Sequence, residues 1–196
     1  MLQWSEYYKK RPKRRIKGMF KCHSNNCTAC PFIAEKKEIK QEQAKPFVLN
    51  KKFNCNSANI IYMIECKKDK CKQRYIGYTT RKLKKRLAEH RGYVVNRHIN
   101  RVTGFHFNQP GHSVSDLTIT ILGQVISTDR QTEVTDLEEK ERYFIKKFNT
   151  ITNGLNGRYP KECYWPSKNT RNKDYNTIAN ELRMKYSNKI QNNKQA

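Results

Sequence analysis

Residues Asn59–His90 read NIIYMIECKKDKCKQRYIGYTTRKLKKRLAEH. The runs NIIYMIEC and RYIGY are β-branched and aromatic, a composition that suits a pleated and partly buried surface. A polar loop joins them, so the pair predicts an antiparallel hairpin carrying Tyr62 and Tyr75. Thr79 or Thr80 then stands where a hydroxyl can cap a helix running through RKLKKRLAEHRGY. Leu83 and Leu87 form the apolar stripe of that helix, and Arg86 and His90 lie one turn apart on a face able to reach a phosphate.

Beyond the hairpin, LTITILG at 117–123 alternates Thr with Leu or Ile and predicts a third strand. A second helix is expected to open at the capping-box pattern Thr135-x-x-Glu138 and to run through LEEKERYFIKKF. Its apolar face holds Leu137, Phe144, Ile145 and Phe148, with Glu141 in the middle. A carboxylate placed there is costly unless a cation pairs with it. The alternative is a Glu at the edge of the stripe whose tip reaches water or an Arg. The elements read as an α+β domain over 59–160, after a basic arm (1–20) and a Cys-bearing linker (21–58) broken by Pro31 and Pro46. A basic tail (161–196) follows, with a weak helix expected over 174–190 and no chemistry in it.

Composition bounds the partner. Lys and Arg number 41 against 17 Asp and Glu, a formal charge of +24, which a polyanion such as nucleic acid would neutralise. The arm carries KKRPKRRIK, suited to nuclear import or phosphate binding, or simply to solubility. No stretch approaches the roughly 18 apolar residues of a spanning helix, and no signal-peptide core follows Met1, so an intracellular chain without a membrane is expected. There is no P-loop, Gly-rich dinucleotide turn or GxSxG.

Seven cysteines without secretory context read as thiols or metal ligands rather than a disulfide framework. Cys66-x4-Cys71 flanks the hairpin loop, and His106-x5-His112 lies in FHFNQPGH, where Pro110-Gly111 supplies a turn. Together they make a Cys₂His₂ set with spacings near those of structural zinc. The 34 residues between Cys71 and His106 make it a clasp built into a domain rather than a finger. Buried thiols and surface histidines are the other reading. Cys22-x4-Cys27-x2-Cys30 forms a second half-site that Cys55 could close as Cys₄, with His23 as a competing ligand. Cys163 stands alone as an ordinary thiol.

Ile60-Ile61-Tyr62, Tyr75-Ile76-Gly77, Arg86, His90, Glu141 in ERYFI and Asn156 in GLN resemble, in order and spacing, the GIY-YIG nuclease family. The resemblance covers 59–158. The first motif lacks its glycine. Cysteines between the two motifs, FHFNQPGH downstream, and CTACPFI and FNC upstream resemble the variant attached to Penelope-like retroelement reverse transcriptases.

The resemblance implies a three-stranded antiparallel sheet flanked by helices, with the catalytic surface across the sheet face. It implies that Glu141 holds Mg²⁺ or Mn²⁺ and that Tyr62 is the general base or water-positioning group. Tyr75 would orient nucleophile and phosphate, Arg86 would neutralise the scissile phosphate, His90 would assist by proton transfer or hydrogen bonding, and Asn156 would brace the site. A phenol of ordinary pKa near 10 needs help to act as a base. The implied activity is a metal-dependent nick in DNA that primes reverse transcription in the nucleus. Retroelement RNA and a reverse transcriptase domain are the further partners. A chain of 196 residues is too short to hold that polymerase as well, so a fragment or a freestanding derivative is expected. A non-catalytic zinc-bearing nucleic-acid-binding module and a structure-specific repair nuclease are the rival readings.

Overall fold

A computed structural model describes residues 16–41, 44–127 and 129–157. The arm up to residue 15, Cys163, and the tail with its expected helix lie outside the described residues. β5 (Ile60–Cys66) is the central strand of a three-stranded antiparallel sheet, with β6 (Arg74–Thr79) on one side and β7 (Leu117–Gln124) on the other. Ile60, Ile61, Tyr62, Met63 and Ile64 are all fully buried. Side chains alternate between faces along a strand, so both faces of β5 are covered, which is why the run is continuously apolar rather than alternating. Ile60 occupies the position of the missing glycine as an ordinary core residue, and its backbone is not among those with positive φ.

Helix α1 (Leu83–Val95) covers the face that carries Tyr62, burying Leu83, Leu87, His90 and Val94. No threonine caps it by a side chain. The residue at the cap is Lys82, and Thr79 Oγ1 instead accepts from Arg81 N at 3.1 Å. The first-turn amides are satisfied by backbone carbonyls from the preceding loop: Leu83 N donates to Ser57 O at 2.8 Å and Lys84 N to Cys55 O at 2.9 Å. A short helix α2 (Val102–Phe107) follows and ends before the expected turn at Pro110-Gly111, which the chain makes. Helix α3 (Arg130–Lys147) packs on the opposite face and buries Leu137 and Phe144, while Ile145 and Phe148 are half-buried. It begins before the Thr135 box. The true cap is Asp129, whose carboxylate accepts from Thr132 N at 2.7 Å. Thr135 Oγ1 bonds back to Gln131 O at 3.2 Å, a pattern available anywhere inside a helix.

The segment read as a linker joins the same apolar core through Met19, Ala29, Ile33, Ile39, Leu49 and Phe53. Two small strand pairs shape it: β1 (Gly18–Met19) with β4 (Lys52–Phe53), and β2 (Glu38–Ile39) with β3 (Phe47–Val48). Ala34 N donates to Ile119 O of β7 at 3.1 Å, and Lys36 and Arg74 (Nε at 3.1 Å) both pair with Glu65. Among the described residues, no helix is long and apolar enough to cross a membrane.

Candidate active site

β6 is an edge strand, and its outward backbone groups need partners. Asn156 supplies both for Ile76: its Oδ1 accepts from the Ile76 amide and its Nδ2 donates to the Ile76 carbonyl, each at 2.8 Å. That clamp fixes the backbone between Tyr75 and Gly77. Tyr62 is paired with Gly77 in register, and a Cβ at Gly77 would lie 2.7 Å from Tyr62 Oη. The glycine therefore leaves the space that the Tyr62 phenol crosses.

Tyr62 Oη is the centre of a hydrogen-bonded chain. Arg86 Nε donates to it at 2.9 Å, and it lies 2.8 Å from His90 Nε2. His90 Nδ1 lies 3.0 Å from Thr103 Oγ1 of α2. Burial, with the Arg86 charge adding to it, pushes the His90 imidazole down to about 3. A neutral ring accepts at one nitrogen and donates from the other. The chain therefore reads Arg86 N–H to Tyr62 oxygen, Tyr62 O–H to His90 Nε2, and His90 Nδ1–H to Thr103. Burial also raises the Tyr62 phenol well above its ordinary value.

A cleft of about 380 Å³ opens beside β6, lined by Tyr75, Tyr78, Thr79, Thr80, Arg81, Arg86 and Glu141. It straddles the strand: Arg86 comes from α1 on one face and Glu141 from α3 on the other. Tyr75 lines this cleft, whereas Tyr62, expected as the water-activating group, is fully buried and does not. Glu141 has no ion pair among the described residues, so the pairing with an Arg left open above is not made. Burial, and next the Glu138 carboxylate, push its carboxyl up to about 7. A half-buried carboxylate that opens on a cleft and makes no ion pair among the described residues can hold a hard divalent ion, which takes oxygen ligands.

Two further clusters lie away from the cleft. The ligand atoms of Cys22, Cys27, Cys30 and Cys55 lie within 4.8 Å of one another, as do those of Cys66, Cys71, His106 and His112. Cys30 Sγ is 3.6 Å from the sulfurs of both Cys22 and Cys55, and Cys71 Sγ is 3.5 Å from His106 Nε2. Disulfide sulfurs stand about 2 Å apart. Tetrahedral zinc, with sulfur at about 2.3 Å, sets its sulfurs about 3.8 Å apart. The spacing fits a shared ion. In the second cluster His112 Nε2 is buried without a hydrogen-bond partner, while Nδ1 faces Pro110 O at 3.4 Å. That is the tautomer a metal ligand takes. His23, the competing ligand, is not in the first cluster.

The GIY-YIG catalytic domain is the family that matches, over residues 58–156, just over half of the chain. The chain belongs to the GIY-YIG family. No curated protein and no solved structure matches it. GIY-YIG proteins are endonucleases that use divalent metals, so membership implies nuclease-type chemistry on DNA. Of the motif residues, Tyr75, Arg86 and Glu141 line the cleft, Tyr62 and His90 lie buried in the chain of hydrogen bonds that ends on Arg86, and Asn156 holds the Ile76 backbone. Three of the surrounding residues were not anticipated: Thr103, Arg81 and Glu89, the last bonded to both arginines.

Proposed function

We propose that the chain is a metal-dependent DNA endonuclease that nicks one strand by phosphodiester hydrolysis. The observation that carries this reading is the cleft bounded by Glu141, Tyr75 and Arg86 and backed by the Tyr62–His90–Thr103 chain. A divalent ion, Mg²⁺ or Mn²⁺, bound by Glu141 would polarise the scissile phosphate and stabilise the departing oxygen. Arg86 neutralises the phosphate, and Tyr75 orients the attacking water from the cleft wall. Tyr62 lies buried behind the cleft wall, so its oxygen, held in turn by His90, fixes Arg86 Nε rather than meeting the water. The attacking water gives its proton to the solvent that fills the open cleft. Hydroxide adds to phosphorus, the P–O3′ bond breaks, and the 3′ oxygen takes a proton from solvent.

The zinc-compatible clusters are read as structural, because four protein ligands leave no open position for substrate. The cysteine-bearing architecture and the charge of +24 support a Penelope-like retroelement role in which the exposed 3′ end primes reverse transcription in the nucleus. Retroelement RNA and a reverse transcriptase are the partners of that role.

Glu141→Gln tests the proposal, since it keeps size and polarity and removes the charge. Nicking of supercoiled plasmid in Mg²⁺ or Mn²⁺ should fall by at least about a hundredfold, the scale of losing a metal's charge stabilisation. DNA affinity should hold or rise. A folded Glu141→Gln protein that nicks at the wild-type rate rules the mechanism out.

A further inference from the structure

One guanidinium in the cleft has no part in the scheme above. Arg81 follows β6, is about half exposed, with 53% of its side chain accessible, and lines the cleft together with Arg86 and Glu141. Glu89 of α1 bridges the two arginines. Its Oε1 lies 2.6 Å from Arg81 Nη2, and its Oε2 accepts from Arg86 Nη1 at 2.8 Å. Burial opposes the ionisation of Glu89, but its bonds to Arg86 and Arg81 outweigh that and hold the carboxyl below its ordinary range.

The Arg81–Glu89 pair, with Arg81 half exposed, contributes little to stability, so its geometry has to be explained by what it does. Glu89 gives one oxygen to each guanidinium, and both guanidiniums face one cleft. Arginines held in place beforehand lose less side-chain freedom on meeting a ligand, and their planar forks match phosphate oxygens. Glu141 shares the cleft and ion-pairs with neither arginine, although the Arg86 charge still acts on its carboxyl.

We propose that Arg81 is a second phosphate ligand for DNA, binding the phosphate next to the scissile one, and that Glu89 is a positioning residue that sets Arg81 and Arg86 as a pair. The adjacency to a scissile phosphate rests on the nuclease reading; the phosphate contact itself does not.

The full chain, zinc-loaded, is the test material. Affinity for a fluorescent duplex is measured without divalent ions across a salt series, and single-turnover plasmid nicking in Mg²⁺. Arg81→Ala should weaken duplex binding about tenfold and reduce the salt slope by about one. Arg81→Lys should restore most of the slope, as a retained charge would. Glu89→Gln should slow saturated nicking about tenfold or more while affinity stays within about threefold, and Glu89→Asp should recover part of the rate. A merely structural Glu89 would lower the melting temperature and the rate together and leave the split unseen. Wild-type affinity and slope in Arg81→Ala overturn the phosphate contact. Wild-type rate in folded Glu89→Gln overturns the positioning role. Should the unsubstituted chain bind DNA but not nick, a lost unit of slope in Arg81→Ala still upholds the contact while the nuclease reading falls.

Discussion

Burial drives both His90 of α1 and Glu141 of α3 toward neutrality, with opposite consequences for stability. The folded imidazole titrates at about 3 against an ordinary 6.5, so between those values the unfolded chain holds the extra proton and stability rises with pH. The folded Glu141 carboxyl titrates at about 7 against an ordinary 4.5, so there the folded chain holds the extra proton and stability falls as pH rises. The two slopes oppose one another from 4.5 to 6.5. Glu141→Gln removes only the second. Without divalent ions the variant should gain stability relative to the parent as pH climbs from 4.5 to 7, seen as a growing separation of urea midpoints. Any metal that the cysteine clusters hold would be lost in acid from both proteins alike and cancels in the difference. A separation constant with pH would remove burial as the cause of the carboxyl's shift.

Two elements transmit the candidate metal clusters to the site. Cys55 belongs to the first cluster, and its carbonyl accepts from Lys84 N in the first turn of α1, the helix that carries Arg86. Arg91 of α1 reinforces that contact, lying over the Phe32 ring at 4.7 Å and donating to Thr28 O at 3.1 Å. His106 belongs to the second cluster and shares α2 with Thr103, which fixes the His90 ring. Structural zinc contributes folding energy directly. Cys66→Ser or His112→Ala should therefore melt the domain earlier and remove one zinc. Cys27→Ser should remove the other and slow nicking through the α1 turn. Zinc measured in the purified, reduced protein checks this, with two ions per chain expected; a value near zero would leave both clusters as thiols and histidines. The three strands of the central sheet and most of both long helices were legible because their signals are local, namely β-branched runs and repeated apolar positions, whereas the two-residue strands β1–β4 carry no such run. The start of α3 was not legible, since a Thr and a Glu three apart occur inside helices as readily as at their ends, whereas the Asp129 cap shows only once Thr132 N is seen to need a partner. Both candidate ligand sets were visible as spacings, the first with Cys55 and His23 as alternative fourth members, of which the fold brings Cys55 to the cluster. Arg81, Glu89 and Thr103 were hidden because each takes its meaning from a residue in another element or loop.

At the scale of the whole chain, the apolar core is one cluster running from Met19 through the sheet to Phe144, so the cysteine-bearing segment and the motif-bearing domain are packed on a single core. That core belongs to a molecule of net charge +24. Sequence-independent attraction to phosphate grows with the number of cations brought to the backbone, each releasing a condensed counterion. Nothing among the described residues suits base reading in a groove: α1 directs Arg86 and His90 into the site, and α3 carries Glu141 to the cleft. Binding should accordingly be electrostatic and largely indifferent to sequence. With about 6–10 phosphates contacted, affinity should fall roughly 10³–10⁵-fold between 50 and 200 mM salt. Scrambling the duplex sequence at fixed salt should change affinity by less than about threefold, well below the cost of one mismatched base pair for a sequence reader. A flat salt response, or one sequence preferred by a hundredfold, would contradict this account of the surface and require a base-reading element.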